Sequence, residues 1–170
     1  MWDMMGSDRS VMNLNKLFVK GASGALVVAD ITDRLSIEST AEWKQSVLDQ
    51  IQGVLGSKDK RTFDSYEIPM LLILNKYDLV EELVEENYEL EEYMTAKFLE
   101  EFSMEHGFIG SICTSAKTGN GVTEAVSALV RQVLENDLNL QESNYSNTII
   151  SKSMTTPNKV RESIRLNKKL

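Results

Sequence analysis

The sequence predicts an α/β fold, a mostly parallel sheet with helices on both faces. Three observations predict it. Short, nearly unbroken apolar runs recur: GALVVADI at Gly24–Ile31, MLLIL at Met70–Leu74 and FIGSICT at Phe108–Thr114. Strands buried on both faces of a parallel sheet read this way. Between the runs lie stretches long enough for crossover helices, giving strand–helix–strand–helix order. Each run also ends in polar residues, namely Asp30, Asn75–Asp78 and Ser115–Lys117. Parallel α/β sheets bind their ligands there, beyond the carboxyl ends of the strands.

The elements follow in order. After the first strand, Leu35, Ile37, Trp43, Val47, Ile51 and Leu55 recur at helical spacing, which predicts a helix from about Ser36 to Leu55. Gly53 and Gly56 close it and a polar loop, Ser57–Glu67, follows. Pro69 introduces the second strand. Glu81–Phe102 is helix-prone and strongly acidic. The third strand is Phe108–Thr114, and a last body helix is expected from about Val122 to Leu134.

At 170 residues the chain suits one domain with a real core. Lys and Arg number 18 against 26 Asp and Glu, a net charge of −8, which disfavours generic nucleic-acid binding. The single cysteine, Cys113, cannot staple the chain and is read as core, and no C-x-x-C metal spacing occurs. No apolar run approaches the roughly 18 residues of a membrane span. Six basic and three acidic residues from Asp137 to Leu170 make that stretch +3 and leave −11 for the rest. The expected organisation is therefore a domain over 1–136 and a flexible basic tail over 137–170.

Asn75-Lys76-Tyr77-Asp78 carries the first chemical signal. An Asn at a strand end can bond a base edge and a neighbouring loop. An Asp two residues past the Lys can accept two N–H groups from one ligand edge. Guanine offers that pair, N1–H and N2–H₂, and adenine does not. The aliphatic stem of Lys76 can lie against a ring face. Four polar residues also make an ordinary strand-end turn. Ser115-Ala116-Lys117, one strand later, adds a small residue whose backbone N–H can approach a carbonyl such as guanine O6. Lys117 can then cover the other face. Taken alone it is a turn leading through Gly119 and Gly121 into a helix. The two motifs together, each after an apolar strand and 39 residues apart from Asn75 to Thr114, are much more specific.

With these motifs, Trp2-Asp3-Met4-Met5-Gly6-Ser7-Asp8-Arg9 resembles the W-D-x-x-G-Q-E-R element of Ras-superfamily GTPases. Gly24–Ile31 resembles the strand that follows it there, and Asn75–Asp78 and Ser115–Lys117 resemble the guanine-specificity motifs. The resemblance runs from Trp2 to about Leu134. Glu42-Trp43-Lys44 and Ile68-Pro69 suggest the Rab branch. It implies a small-GTPase sheet of the P-loop NTPase type, binding GTP and GDP with Mg²⁺ and hydrolysing GTP as a vesicle-traffic switch. It implies that Asp3 holds Mg²⁺ through a water and that the Gly6 N–H meets the γ-phosphate. Asn75, Lys76 and Asp78 would select guanine, with Ser115, Ala116 and Lys117 completing the base pocket. Protein effectors and regulators would be partners, in the cytoplasm or at the surface of endomembranes.

The sequence also departs from the family. It has no G-x-x-x-x-G-K-[ST] loop, whose backbone N–H groups would wrap the phosphates. The loop, first helix and first switch would fall before Met1, so the fold is expected to be incomplete. Losing three or four charge-assisted hydrogen bonds of about 1.5–3 kcal/mol each removes roughly 5–10 kcal/mol, or on the order of 10³ to 10⁷ in affinity. Ser7 stands where the family has the Gln that orients attacking water, and it is too short for that role, so slow hydrolysis is expected. In the family the first strand lies beside Gly24–Ile31. Its loss would leave that strand an open edge, prone to self-association. The ending Leu166-Asn167-Lys168-Lys169-Leu170 lacks the prenylated cysteines of Rab proteins, so no stable anchor is expected. The alternative to a GTPase is a non-enzymatic interaction module on the same fold. His106 is expected at the surface. The run Glu81, Glu82, Glu85, Glu86, Glu89, Glu91 and Glu92 is expected to be a solvated face.

Overall fold

A computed structural model describes residues 21–55 and 68–154. In this part of the chain three strands, β1 (Ala25–Asp30), β2 (Met70–Asn75) and β3 (Ser111–Cys113), form one parallel sheet in the order β1-β2-β3. Four helices accompany them: α1 (Arg34–Leu55), α2 (Tyr77–Glu85), α3 (Ala96–Glu105) and α4 (Val122–Met154). The contacts divide the chain into two units, Met1–Val133 and Leu134–Leu170, the second holding the far part of α4. All three strands and the site described below belong to the first unit.

β2 explains the arrangement. Met70–Leu74 are all buried, so the central strand needs apolar cover on both faces. Its alternate residues divide accordingly. Met70, Leu72 and Leu74 join Ala29, Ile31, Ile37, Val47, Leu99, Phe102 and Phe108 in the larger core, on the face of α1 and α3. Leu71 and Ile73 meet Ala125 on the opposite face, with Ala128 and Leu129 of α4 packed beside them. Parallel strands with helices on both faces are thus present, as the apolar runs predict.

β1 departs from expectation on one face. Ala29 is buried, but Val28, pointing the other way, is 60% exposed. The α4 side chains Leu129 and Val133 close down at the start of β1, where a Cβ on Gly24 would lie 3.1 Å from each. Val28, farther along, is left uncovered. Among the described residues no strand pairs with the outer edge of β1.

The acidic stretch Glu81–Phe102 is not one helix. Asn87 turns the chain after α2 with φ 59, a conformation that asparagine tolerates. A short 3₁₀ turn, Glu92–Met94, precedes Thr95, whose hydroxyl accepts the Phe98 N–H and starts α3. The seven glutamates are exposed, as a solvated face requires. α1 begins earlier than predicted because the Asp33 carboxylate accepts the Leu35 N–H at 3.0 Å. β3 is shorter than Phe108–Thr114, although pairing begins ahead of it, with the Ile109 N–H donating to the Met70 carbonyl. The final helix continues beyond Leu134 to Met154. His106 is half-buried rather than at the surface, its ring 4.3 Å from that of Phe102. Cys113 is partly buried against the larger core, and burial pushes its thiol pKa up.

Candidate functional site

The parallel register fixes where the polar residues meet. Asp30 lies opposite Asn75, and Leu74 opposite Cys113, so all three strands deliver their carboxyl ends to one rim. The chain crosses from β2 into α2 through Lys76, a non-glycine residue in the left-handed region (φ 68, ψ 31). Such a residue costs about 1–3 kcal/mol and persists only where its surroundings hold it. Here the neighbouring loops supply the hold. The Tyr77 N–H donates to the Thr114 carbonyl and the Ile31 N–H to the Asn75 carbonyl.

Asn75 ties the two motifs together. Its Oδ1 accepts the Ala116 N–H at 2.9 Å and the Thr114 hydroxyl at 3.3 Å. Asp78, in the first turn of α2, is buried and forms the second tie. The buried Ser115 hydroxyl donates to its Oδ1 at 2.6 Å, and the Lys117 ammonium sits 3.3 Å from its Oδ2. The Ser115 bond, aided by Lys117, holds the Asp78 carboxyl below the usual carboxylate range. It is therefore an anion at neutral pH. Lys117 also reaches Glu82, one helical turn past Asp78, at 3.4 Å. The hydrogen bonds to Asp78 and Glu82 raise its pKa.

The loop carrying Ser115 is stabilised from within. The Thr118 N–H donates to the Ser115 hydroxyl, and the Ser115 N–H to the Asn120 carbonyl. Gly121 closes it with φ 71, where a Cβ would lie 2.3 Å from the Cys113 carbonyl oxygen. No other residue fits that turn.

On the β1 side, Lys76 Nζ pairs with Asp30 Oδ2 at 2.5 Å. Burial alone would raise the Asp30 pKa. The bonds from Lys76 and from Thr32 outweigh it and hold the carboxyl low. The same ion pair raises the Lys76 pKa.

The sequence-predicted residues Asn75, Lys76, Asp78, Ser115, Ala116 and Lys117 therefore lie together at one rim. Asp3, Gly6 and Ser7 fall outside the described residues, as does the loop at Ser57–Glu67. Sequence reasoning missed Thr32, Ser36, Glu82 and Tyr93. Only Glu82 had a readable signal, its i+4 spacing from Asp78 on a helix. Among the described residues no group of three His, Cys, Asp or Glu side chains could hold a metal ion, and no helix is long and apolar enough to cross a membrane.

A parallel sheet whose strand ends present paired polar loops has the architecture of α/β folds that bind ligands beyond their strand ends. The chain belongs to the Ras family, whose model matches residues 1–135, and within it to the Rab-like small GTPases. It is 29% identical over 138 residues to Ras-related protein Rab-32A of Dictyostelium discoideum, covering 81% of this chain and 55% of that protein. It is 30% identical over 136 residues to Ras-related protein Rab-32 of Sus scrofa, covering 80% and 52%. For Ras-related protein Rab-7L1 of Rattus norvegicus the identity is 28% over 137 residues, covering 80% and 57%. The chain spans about half the length of the curated relatives it matches.

Proposed function

We propose that the rim formed by Asn75–Asp78 and Ser115–Lys117 recognises the guanine base of GTP and GDP. The observation that carries the reading is Asp78, a buried carboxylate held ionised by Ser115 and Lys117 beside a backbone N–H at Ala116. Each carboxylate oxygen has two acceptor sites. With Ser115 on one oxygen and Lys117 on the other, acceptor capacity remains for guanine N1–H and N2–H₂. Adenine, lacking that donor pair, would set its N1 acceptor against the remaining carboxylate lone pairs, a costly mismatch in a buried position.

O6 of the base would take the Ala116 N–H in exchange for Asn75 Oδ1, which keeps the Thr114 hydroxyl. The Asn75 amide then has its NH₂ donors for an acceptor such as N7. The stems of Lys76 and Lys117 would flank the ring, and Lys117 would give up a long contact to do so.

Within this reading the chain is a Rab-like GTP hydrolase serving as a vesicle-traffic switch at endomembrane surfaces, with protein effectors and regulators. Gly6 would meet the γ-phosphate with its backbone N–H, and Asp3 would hold Mg²⁺ through a water, as oxygen ligands suit a hard cation. When bound, Mg²⁺ neutralises phosphate charge. Ser7, at the position of the water-orienting Gln, makes hydrolysis slow.

Titration of the full chain with a fluorescent guanine nucleotide, competed by unlabelled GTP and ATP, tests the reading. Displacement by GTP at concentrations where ATP has no effect is expected. Equal displacement by ATP would overturn it.

A further inference from the structure

We propose that Asp30 is a positioning residue for guanine nucleotides, using its ion pair with Lys76 to hold the Lys76 stem in place as one wall of the base site. This rests on the guanine reading above and adds to it a residue from a different strand.

The geometry points to positioning rather than chance pairing. Asp30 ends β1 directly across from Asn75, so its side chain issues beside the loop that meets the base. Both of its carboxylate oxygens are committed. Oδ2 holds Lys76 Nζ at 2.5 Å, while Oδ1 accepts the Thr32 N–H at 2.9 Å and the Thr32 hydroxyl at 2.7 Å. The Asp30 N–H in turn donates to the Ser36 hydroxyl oxygen at 3.0 Å. Tyr93, 61 residues away, donates its hydroxyl to the Thr32 carbonyl at 3.1 Å and braces the same turn. An ordinary exposed ion pair has no such support on its acid side.

Lys76 needs the support. Its side chain is 54% exposed, and a lysine so placed would sample many rotamers. Its backbone is already fixed in the left-handed region, which sets where the stem begins. Asp30 sets where it ends. With both ends held, the four methylenes lie in one track before any ligand arrives, and the ordering cost is not charged to binding.

The test uses the full chain and GDP, with affinity read from amide shifts in an NMR titration that follows millimolar binding. Four proteins are compared: wild type, Asp30→Asn, Lys76→Met, which keeps a stem but loses the charge, and the double variant. Each single change is expected to weaken GDP binding about three- to tenfold. The double variant is expected to be no weaker than the worse single variant, because both changes remove one shared interaction. A purely structural role for Asp30 would instead make the losses multiply. Unchanged affinity in Asp30→Asn, or multiplying losses, would overturn the proposal while leaving the guanine reading intact. If the wild-type chain prefers GDP no more than ADP, the guanine reading fails and the proposal falls with it. Should Asp30→Asn not fold, the wild-type Lys76 ammonium resonance decides. A slowly exchanging signal titrating above the ordinary lysine value supports the pair, and a freely exchanging one refutes it.

Discussion

Asn75 Oδ1 accepts the Ala116 backbone N–H at 2.9 Å, joining two loops 41 residues apart in the chain. One side-chain atom thus sets the separation of the two segments proposed to grip a base. Replacing Asn75 by Ala removes the acceptor from both the Ala116 N–H and the Thr114 hydroxyl. GDP binding should weaken at least tenfold, since the amide donors offered to N7 and the tie to the Thr114 hydroxyl are both lost. Amide shifts at Ala116 and Ser115 in the ligand-free variant would report the loosened loop.

Asp78 should decide which base binds. In Asp78→Asn a carboxylate oxygen is exchanged for an amide donor, which suits a carbonyl at C2 of the purine rather than an amino group. The variant should lose guanine and gain affinity for xanthine nucleotides. Competition between GDP and XDP measures the exchange, and an unchanged preference for GDP would count against the assigned role.

The Ser115 hydroxyl is the first cause of the low Asp78 pKa. A carboxyl held low in the folded state contributes stability above its unfolded value, and that contribution is lost as pH falls through the folded pKa. In Ser115→Ala the Asp78 pKa should rise toward 3.8, so acid loss begins at higher pH. GDP affinity of the wild type should be flat from about pH 5 to pH 8. Paired pH titrations of the two proteins would show the acid limb displaced upward in the variant.

Gly121 and Gly119 offer a controlled contrast in the same loop. Both have positive φ, but a Cβ at Gly119 meets nothing within 4 Å, whereas at Gly121 it lies 2.3 Å from a backbone oxygen. Gly119→Ala should cost about 1 kcal/mol, the left-handed penalty alone. Gly121→Ala should cost about 2–4 kcal/mol, because the strand end must move as well. Thermal melting of the two variants ranks them directly.

Val28 is an exposed apolar side chain on β1, beside an edge with no described strand partner. Such edges invite pairing with another chain. Val28→Lys should reduce self-association in sedimentation velocity. Equal association in both proteins would place any contact elsewhere.

Much of this was legible in the sequence for a physical reason. MLLIL announces a strand because a central parallel strand has no solvent face; GALVVADI reads the same way although β1 ends the described sheet, and the polar residues closing both runs mark where such a sheet binds. Asn75, Asp78 and Ser115 could be named because their spacing carried chemistry. The exposure of Val28 could not be read, since it depends on how far α4 covers β1. Nor could the break within Glu81–Phe102, which turns on Asn87 and Thr95 inside a glutamate-rich, helix-prone run. The tie of Asp30 to Lys76 required the register of two strands, and those of Ser36 and Tyr93 to the Asp30–Thr32 turn required tertiary contact.

The most direct measurement is a nitrogen-15 NMR titration of the full chain with GDP and, separately, with ADP. GDP should shift the amides of residues 75–78 and 115–117 together and to saturation, while ADP leaves them in place. Equal shifts from ADP, or GDP shifts confined to other residues, would contradict guanine recognition at this rim.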